Sequence, residues 1–441
     1  MSGKTITALF GNPRCVARLQ RIRERPGRPE IPAWWADCQD TAWNAMISGG
    51  GPAADDDEGI AACLLPLLTR ADGAPAPSGD EDLPRSFLDK DDLTLVLQDG
   101  AVPRDFPDTF TGDAGVAFKK FSDMTPDEYD QWLAPVLNQP SGGVFPNLNT
   151  ALATDGLWIH VPAHAKVERV IHLCHIVSGR GDAPVYCPRV VLTSGPCAEA
   201  GLVMTFSSPG GGSVFFTNAL TDIAIGAGGK VSLTTIHHEQ DGACHVHGVR
   251  VTQHKDSCFE NFALITGGRV TRHSVDVTLL EEGAAAFLKG LSLLRASQHA
   301  GTRITVRHLA PHGTSDQMYK GIFHENSRGV FNGTIYVHPD AQQTSAYQLN
   351  KNLLMGGHSR VSTRPQLEIF ADDVKCSHGA TVGQLDENEV FYLQARGIPR
   401  QAAVRMLATG FAEDLILRVP GPGVQRRLTA AAAPVLEAVS R

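Results

Sequence analysis

The sequence lacks the features of several common protein classes. No apolar run reaches the roughly 18 to 20 residues that a membrane-spanning helix needs, and the amino-terminal stretch has no charged start followed by an apolar segment. We therefore expect the protein to remain in the cytoplasm.

Cysteine pairs at CxxC spacing are also missing. The nine cysteines are an odd number, scattered from Cys15 to Cys376, which argues against a disulfide framework and favours reduced thiols. A zinc ribbon, or a ferredoxin-like cluster site held by this chain alone, is disfavoured. Any metal site has to be built from other spacings.

Basic residues are in deficit. Lys and Arg number 39 against 47 Asp and Glu, which gives a net charge of -8, and no basic run is interleaved with aromatics. Nucleic acid is therefore not an expected partner. What is present, 42 % hydrophobic and 20 % charged residues, is typical of a folded globular protein. At 441 residues the chain exceeds the about 250 to 300 residues of a single core, so we expect one large unit with smaller attachments.

Residues 1–150 form a mostly helical region that also contains a strand. The patterns predict helices over 14–25 and 34–47, a strand over 93–97 and a helical segment over 125–136. Two stretches rich in Gly, Pro and acidic residues, 48–59 and 71–84, are predicted to be solvated linkers.

Residues 151–385 are predicted to be mainly β. Short alternating strands follow one another here, and each is expected to bury one face: Val275, Val277 and Leu279; Ile304 and Val306; Ile335 and Val337. The pattern alone fits a sandwich, a barrel or a solenoid. The length without an interrupting helix favours a solenoid of stacked coils. Such a solenoid exposes strand edges at its ends, so dimerisation by edge pairing is expected.

Residues 386–441 return to a helical period and form a small helical domain. Asp386 is predicted to begin it as a helix cap. Two apolar stripes follow, and we favour packing against the solenoid over docking of a partner as their role: Val404, Leu407, Phe411 and Leu415; Val424, Leu428, Val435 and Leu436.

Histidines concentrate in one stretch that also contains Cys244: His237, His238, His245, His247 and His254. On a strand, His245 and His247 share a face, with about 6 to 7 Å between their Cα atoms, close enough to hold one ion if a third ligand joins them. The sequence supplies no third ligand. We interpret these residues as partly exposed strand histidines that are hydrogen-bonded locally.

Cys376 and His378 are the better candidates for chemistry. Strand alternation points both side chains the same way, and thiol and imidazole both suit iron. A neighbouring histidine can depress the thiol pKa and favour the thiolate. Because a cluster needs about four ligands, this pair would require completion from elsewhere, which points to an interface.

The residues around this pair resemble the SufB/SufD family of iron-sulfur cluster assembly proteins. The match covers roughly residues 90 to 430, and its strongest segments are 363–365, 367–369, 371–383, 385–386, 390–393 and 395–398, with further ones at 148–151, 155–156, 159–162, 341–344 and 352–354. Within the family, Cys376 followed by His378-Gly379-Ala380-Thr381 resembles the SufD branch, because the SufB paralogue usually has a glutamate after the histidine.

The resemblance implies a right-handed parallel β-helix flanked by helical regions. It also implies a non-catalytic scaffold in a complex with a SufB-like paralogue and the ABC-type ATPase SufC. His378, with Cys376 beside it, is similar to the SufD histidine that works with a SufB cysteine where the two β-helices pair. A nascent iron-sulfur cluster would be shared there, and both side chains become candidate metal ligands.

The helices after Asp386 resemble the surface that docks SufC: Phe391, Tyr392, Arg396, Gly397, Ala403, Leu407 and Phe411. The sequence has no Walker A pattern, so ATP hydrolysis would belong to that partner. The resemblance leaves open whether a reduced flavin binds the complex and whether this chain forms a homodimer when the SufB-like partner is absent.

Two alternatives of other classes stay open. A β-helix enzyme acting on polysaccharide would use acids and bases lined up on one face, and Asp372, Asp373 and Lys375 are available. A stand-alone metal-binding solenoid would use the histidine-rich stretch. We expect no resident cofactor in the isolated chain.

Overall fold

The computed structural model describes residues 12–24, 31–48, 64, 87–103, 114–138, 143–178, 185–208 and 214–438. Apart from Ser48, the two predicted linkers lie outside these residues. None of the helices within these ranges combines the length and apolarity that crossing a bilayer takes. The eight cysteines in the described ranges are all free thiols.

Two parallel sheets form the body of a β-solenoid, which confirms the mainly β prediction. From β8 to β17 the chain alternates between them, so each of these strands pairs with the next strand but one along the chain. Sheet A has nine strands: β1 Leu93–Gln98, β4 Ile171–Ile176, β7 Glu199–Ser207, β9 Lys230–His238, β11 Cys258–Ile265, β13 Ala285–Leu294, β15 Thr314–Phe323, β17 Ser345–Leu354 and β19 Lys375–Gly383.

Sheet B has ten strands and lies opposite sheet A. In spatial order these are β18 Arg360–Ile369, β16 Arg328–Val337, β14 His299–His308, β12 Val270–Leu279, β10 Ala243–Gln253, β8 Phe215–Ile225, β6 Arg189–Ser194, β3 Leu157–Val161 and β2 Ala117–Lys120, with β5 Val185–Tyr186 beside β8. Only β2, which pairs with β3, runs antiparallel. The sheets thus extend upstream of residue 151, because β1 and β2 join their first ends.

The interior between the sheets is filled by every second side chain. Val275, Val277 and Leu279 are fully buried, as are Ile304 and Val306 on the next strand of sheet B. The predicted alternation is confirmed in these strands. Because parallel strands in register place equivalent residues one above the other, these buried side chains stack between coils.

The turns that follow the sheet B strands also stack. Each has one residue in the left-handed region, and its N–H donates to a carbonyl of the next turn: Asp256 to Glu282, Gly283 to Pro311, His312 to Gln342 and Gln343 to Asp373. Gly283 is the natural choice at its position, since a Cβ there would lie 2.1 Å from a carboxylate oxygen of Asp256.

Helices cover the outer faces of the solenoid. Helices α1 (Pro13–Arg23), α2 (Ala33–Ser48) and α3 (Val144–Leu152) lie on the sheet B side, together with short helical segments at Phe121–Asp123, Pro126–Glu128, Tyr129–Leu133 and Ala134–Leu137. After β19 come α4 (Glu387–Gln394), α5 (Arg400–Ile416) and α6 (Pro422–Ala438). Asp386 caps α4, as predicted, by accepting from the Asn388 N–H.

The carboxy-terminal helices turn back along the outer face of sheet A. Helix α5 packs on β13 and β15, and α6 packs on β9 and β13. Lys320 of β15 donates to the Asp414 carboxylate at 2.7 Å and to the Phe411 carbonyl at 2.8 Å. The predicted stripe of α6 is buried. Of the predicted α5 stripe only Leu415 is fully buried, whereas Val404, Leu407 and Phe411 are half-buried. The buried residues of α5 are Ala403, Ala408, Ala412, Leu415 and Ile416.

A deletion of interior volume tests the solenoid core. Ile304→Ala should lower the free energy of unfolding by about 2–5 kcal/mol, because it removes a fully buried side chain between coils. Arg303→Ala is the matched control, since the neighbouring side chain is exposed, and it should change stability by less than about 0.5 kcal/mol. Urea unfolding followed by circular dichroism measures both, and equal midpoints would contradict the assigned register.

Acid should destabilise the fold through buried histidines such as His308. This side chain is fully buried, its Nε2 lies 2.9 Å from Ser315 Oγ, and burial lowers its pKa to about 4. Below about pH 6.5 this histidine is protonated in the unfolded chain but not in the folded chain. The free energy of unfolding therefore falls by about 1.4 kcal/mol per pH unit down to pH 4. In His308→Gln the urea midpoint should fall less steeply between pH 6.5 and 5. An unchanged slope would show that His308 is protonated in the fold.

Candidate functional site

Within the described residues, the solenoid has an open end at β18 and β19. Each of these strands has a neighbour on one side only, β16 and β17 respectively, and they stand last in their sheets. Along β18 the residues that point inwards are only half-buried, whereas equivalent residues of β16 are buried. The last coil therefore offers unpaired backbone groups and an uncovered interior.

Cys376 and His378 both lie on β19 and point towards this uncovered interior. In register they stand over Ala346 and Gln348 of β17, which are buried by the coil above. His378 is exposed and Cys376 is half-buried. The side chain of His378 makes no hydrogen bond or ion pair with any residue that the structure describes. Its imidazole is thus free to meet a ligand arriving at the open end.

The effect predicted for the Cys376 thiol is wrong for the isolated chain. Burial raises the pKa of Cys376, and a hydrogen bond with the Ala346 backbone offsets this only in part. His378 is not among the causes of this shift. The thiol is therefore mainly protonated, and a positive group from outside the chain is needed to favour the thiolate.

Apolar side chains are exposed beside the open end. Val382 on β19 is 46 % exposed, and Ile369 and Phe370 at the end of β18 are 37 % and 59 % exposed. Asp372, Asp373 and Lys375 lie on the surface where the chain passes from β18 to β19.

The seven predicted docking residues divide into two groups. Phe391 and Tyr392 of α4 are 70 % and 57 % exposed, and Arg396 stacks on the Tyr392 ring at 3.5 Å and is exposed, as is Gly397. In α5, Ala403 is fully buried, Leu407 is half-buried, and half-buried Phe411 packs under the Lys320 ammonium. The first group is therefore exposed, whereas the α5 group is buried or half-buried.

The predicted environment of the histidine-rich stretch is wrong in part. His238 and His254 are half-buried and lie near Thr266 and Glu281, as expected. His237, His245 and His247 instead point into the solenoid and are at most 1 % exposed.

The third ligand that the sequence did not supply is His237, which lies on β9 opposite His245 and His247 on β10. One ligand atom of each lies within 4.8 Å of the others. His175 and His273 join the same group, which we call the interior histidine cluster: His175, His237, His245, His247 and His273. Only the register of the coils could have revealed it, because His175, Phe206 and His237 occupy equivalent positions in successive coils.

Comparison with known proteins finds one family model. It is described as "SUF system FeS cluster assembly, SufBD core domain" and matches residues 175–411. The matched part thus runs from β4 through the open end and into α5.

Several curated proteins are similar to the chain along most of its length. Protein ABCI7 of Arabidopsis thaliana, a chloroplastic protein, is 33 % identical over 74 % of this chain and 70 % of its own. The iron-sulfur cluster assembly protein SufD of Escherichia coli is 32 % identical over 65 % of this chain and 68 % of its own. An iron-sulfur cluster assembly SufBD family protein of Synechocystis is 29 % identical over 76 % of both chains.

Proposed function

Because the chain belongs to the SufB/SufD family of the SUF iron-sulfur cluster assembly system, and resembles its SufD members, we propose that it is a scaffold subunit that pairs through its open end with a SufB-like paralogue. The nascent cluster is the cargo of this pair and not a resident cofactor. The free thiols of the chain suit a reducing compartment, and we propose that this compartment is the cytoplasm.

The observation that carries the proposal is the unfinished last coil. Buried residues of β17, such as Gln348 and Asn350, are only 2 % exposed because β19 continues the sheet beyond them. Among the described residues no strand continues β19 in the same way, and α5 and α6 lie on the outer face of sheet A. A second solenoid that docks at this end would pair the strand edges and bury Val382, Ile369 and Phe370.

His378 and Cys376 supply the chemistry of the joint. They are an imidazole and a thiol on the same face of one strand, and both bind iron. A cluster takes about four ligands, so this chain provides at most half of the set and the partner completes it. The exposed imidazole is available at once, whereas the Cys376 thiol has to lose its proton to a group that the partner or the arriving iron provides.

The ATPase partner is expected to dock on α4. Phe391 and Tyr392 form an exposed aromatic pair beside Arg396, the composition of an interface hot spot. Helix α5 follows directly and is fixed to the solenoid by the Lys320 contacts with Asp414 and Phe411. Movement of α4 by an ATP-driven partner would therefore be passed to β15.

Loss of the imidazole tests the site. In His378→Ala the yield of assembled cluster should fall roughly tenfold, because one of about four ligands is lost. The thermal midpoint and co-purification with the SufB-like partner should not change, since the side chain is exposed and makes no bond within the described chain. Iron and acid-labile sulfide per complex are the measurements.

His358→Ala is the matched control, because His358 is also exposed and lies in the turn before β18. Its cluster yield should equal that of the wild-type chain. A wild-type yield in His378→Ala would refute the assigned role of His378.

Two variants should separate the two partners. Val382→Glu places a charge at the open end and should release the SufB-like subunit while the ATPase stays bound. The double variant Phe391→Ser, Tyr392→Ser should weaken ATPase binding by about tenfold or more while the SufB-like subunit stays bound. Affinity purification of each tagged variant from native extract measures both partners, and loss of the same partner in both variants would contradict the assignment of the surfaces.

A further inference from the structure

The interior histidine cluster lies far from the proposed assembly site. His245 and His247 are on β10, and four strands of sheet B separate β10 from the open end at β18, counting β18 itself. At a spacing of about 4.8 Å per strand this is roughly 19 Å. The function proposed above makes no use of these residues.

The cluster spans the interior from one sheet to the other. The ring of His237 on β9 lies 4.6 Å from that of His245 and 5.6 Å from that of His247, both on β10, measured between centroids. His273 on β12 lies 5.2 Å from His237 and 5.3 Å from His247. A flat wall is added by Phe206, whose ring stacks on His237 at 5.4 Å.

Several ring nitrogens of the cluster are buried without a hydrogen-bond partner among the described residues. These are Nδ1 of His237, both nitrogens of His245, Nδ1 of His247, Nε2 of His273 and both nitrogens of His175. Nδ1 of His245 lies close to a carboxylate oxygen of Glu239, but the two atoms are not aligned for a hydrogen bond. An unsatisfied buried polar atom costs about 1–3 kcal/mol, so a group of them in one chamber needs an explanation. A shared ligand that accepts several nitrogen lone pairs would satisfy them together.

Two of the three histidines, His237 and His247, are held in the neutral form. Burial, together with the neighbouring rings, lowers the pKa of His237 and His247 well below the usual value, so both are neutral at neutral pH. A neutral imidazole is the ligand form for zinc, iron, cobalt and nickel.

Contacts around two of the three rings, those of His245 and His247, resemble the outer shell of a metal site. A carboxylate oxygen of buried Glu239 lies 2.6 Å from His245 Nδ1, and Thr217 Oγ1 donates to the other oxygen at 3.1 Å. Thr221 Oγ1 lies 3.0 Å from His247 Nε2. In metal sites such groups fix the tautomer and the ring orientation, which leaves Nε2 of His245 and Nδ1 of His247 for the ion.

We propose that the interior histidine cluster binds one divalent first-row transition-metal ion, of the Zn²⁺ or Fe²⁺ class, through His237, His245 and His247. Nitrogens bound to one ion at about 2.0–2.1 Å lie about 3.3 Å apart in tetrahedral geometry. The three ligand atoms lie within 4.8 Å of one another, so small side-chain rotations close the site. The ion would fasten β9 of sheet A to β10 of sheet B through the interior.

Cobalt substitution tests the site in the full-length chain. The protein is purified without a histidine tag, unfolded in urea with EDTA, refolded, and titrated with Co²⁺. One equivalent of Co²⁺ should give the visible d–d bands of cobalt at a low coordination number and should raise the thermal midpoint. Addition of Zn²⁺ should abolish these bands. X-ray absorption should show an imidazole shell.

His245→Gln and His237→Gln should each lose the cobalt bands and the rise in thermal midpoint. Glu239→Gln should keep the bands but weaken Co²⁺ binding by about 10–100-fold, because it acts through His245. His308→Gln is the matched control, since His308 is a fully buried interior histidine on β14, outside the cluster, and it should bind as the wild type does. The double variant Cys376→Ser, His378→Ala should also bind normally, which separates this site from the proposed assembly site.

Three outcomes would overturn the proposal. They are a wild-type chain without d–d bands at one equivalent, an oxygen or sulfur shell without imidazole, and loss of the bands in Cys376→Ser, His378→Ala. If His245→Gln and His237→Gln do not fold, the X-ray absorption spectrum of the wild-type chain decides by itself, because an imidazole shell supports the site and its absence excludes it.

Discussion

The hydrogen bonding of each coil to the next is the constraint on which the rest of this structure depends. In a parallel stack every strand has its N–H and C=O groups satisfied by the strands above and below, and every interior side chain rests on its equivalent in the neighbouring coil. At the first end, β1 and β2 join the sheets. At the other end β18 and β19 are followed by helices that return along sheet A, so the cost of an unfinished coil remains there. The surface proposed for pairing is the place where the coil-to-coil hydrogen bonding is incomplete.

The same stacking explains what a single sequence could and could not predict. Alternation within one strand is local, so the buried faces of Val275, Val277 and Leu279 were predictable, and so was the helix cap at Asp386. Which residues of successive coils stand above one another depends on the length of each turn. The alternation of apolar and polar residues along a strand does not determine that length. The sequence therefore does not identify His237 as the spatial neighbour of His245 and His247, although all three lie in the histidine-rich stretch.

Helix α5 illustrates a second limit. Large apolar residues predict its buried face, and Leu415 is buried as predicted. Ala408 and Ala412 are fully buried as well, while Phe411 lies at the margin under Lys320. Small side chains let a helix approach a sheet closely, so the face with the least bulk can be the face that packs. The prediction of a lowered pKa for the Cys376 thiol is wrong for a related reason. Burial affects this pKa more than the neighbouring histidine in the sequence does.

The two histidine sites differ in exposure, and this difference determines what each can do. His378 is exposed at the open end, so a ligand could reach it and leave it without any opening of the fold. His245 and His247 have no exposed surface, and an ion among them could leave only if neighbouring coils separated. Exchange at the interior site is therefore coupled to opening of the fold, which suits an ion that holds two sheets together and excludes one that is handed on in each cycle of assembly. Under the two proposals, imidazole would serve a transient site at the open end and a lasting site in the interior.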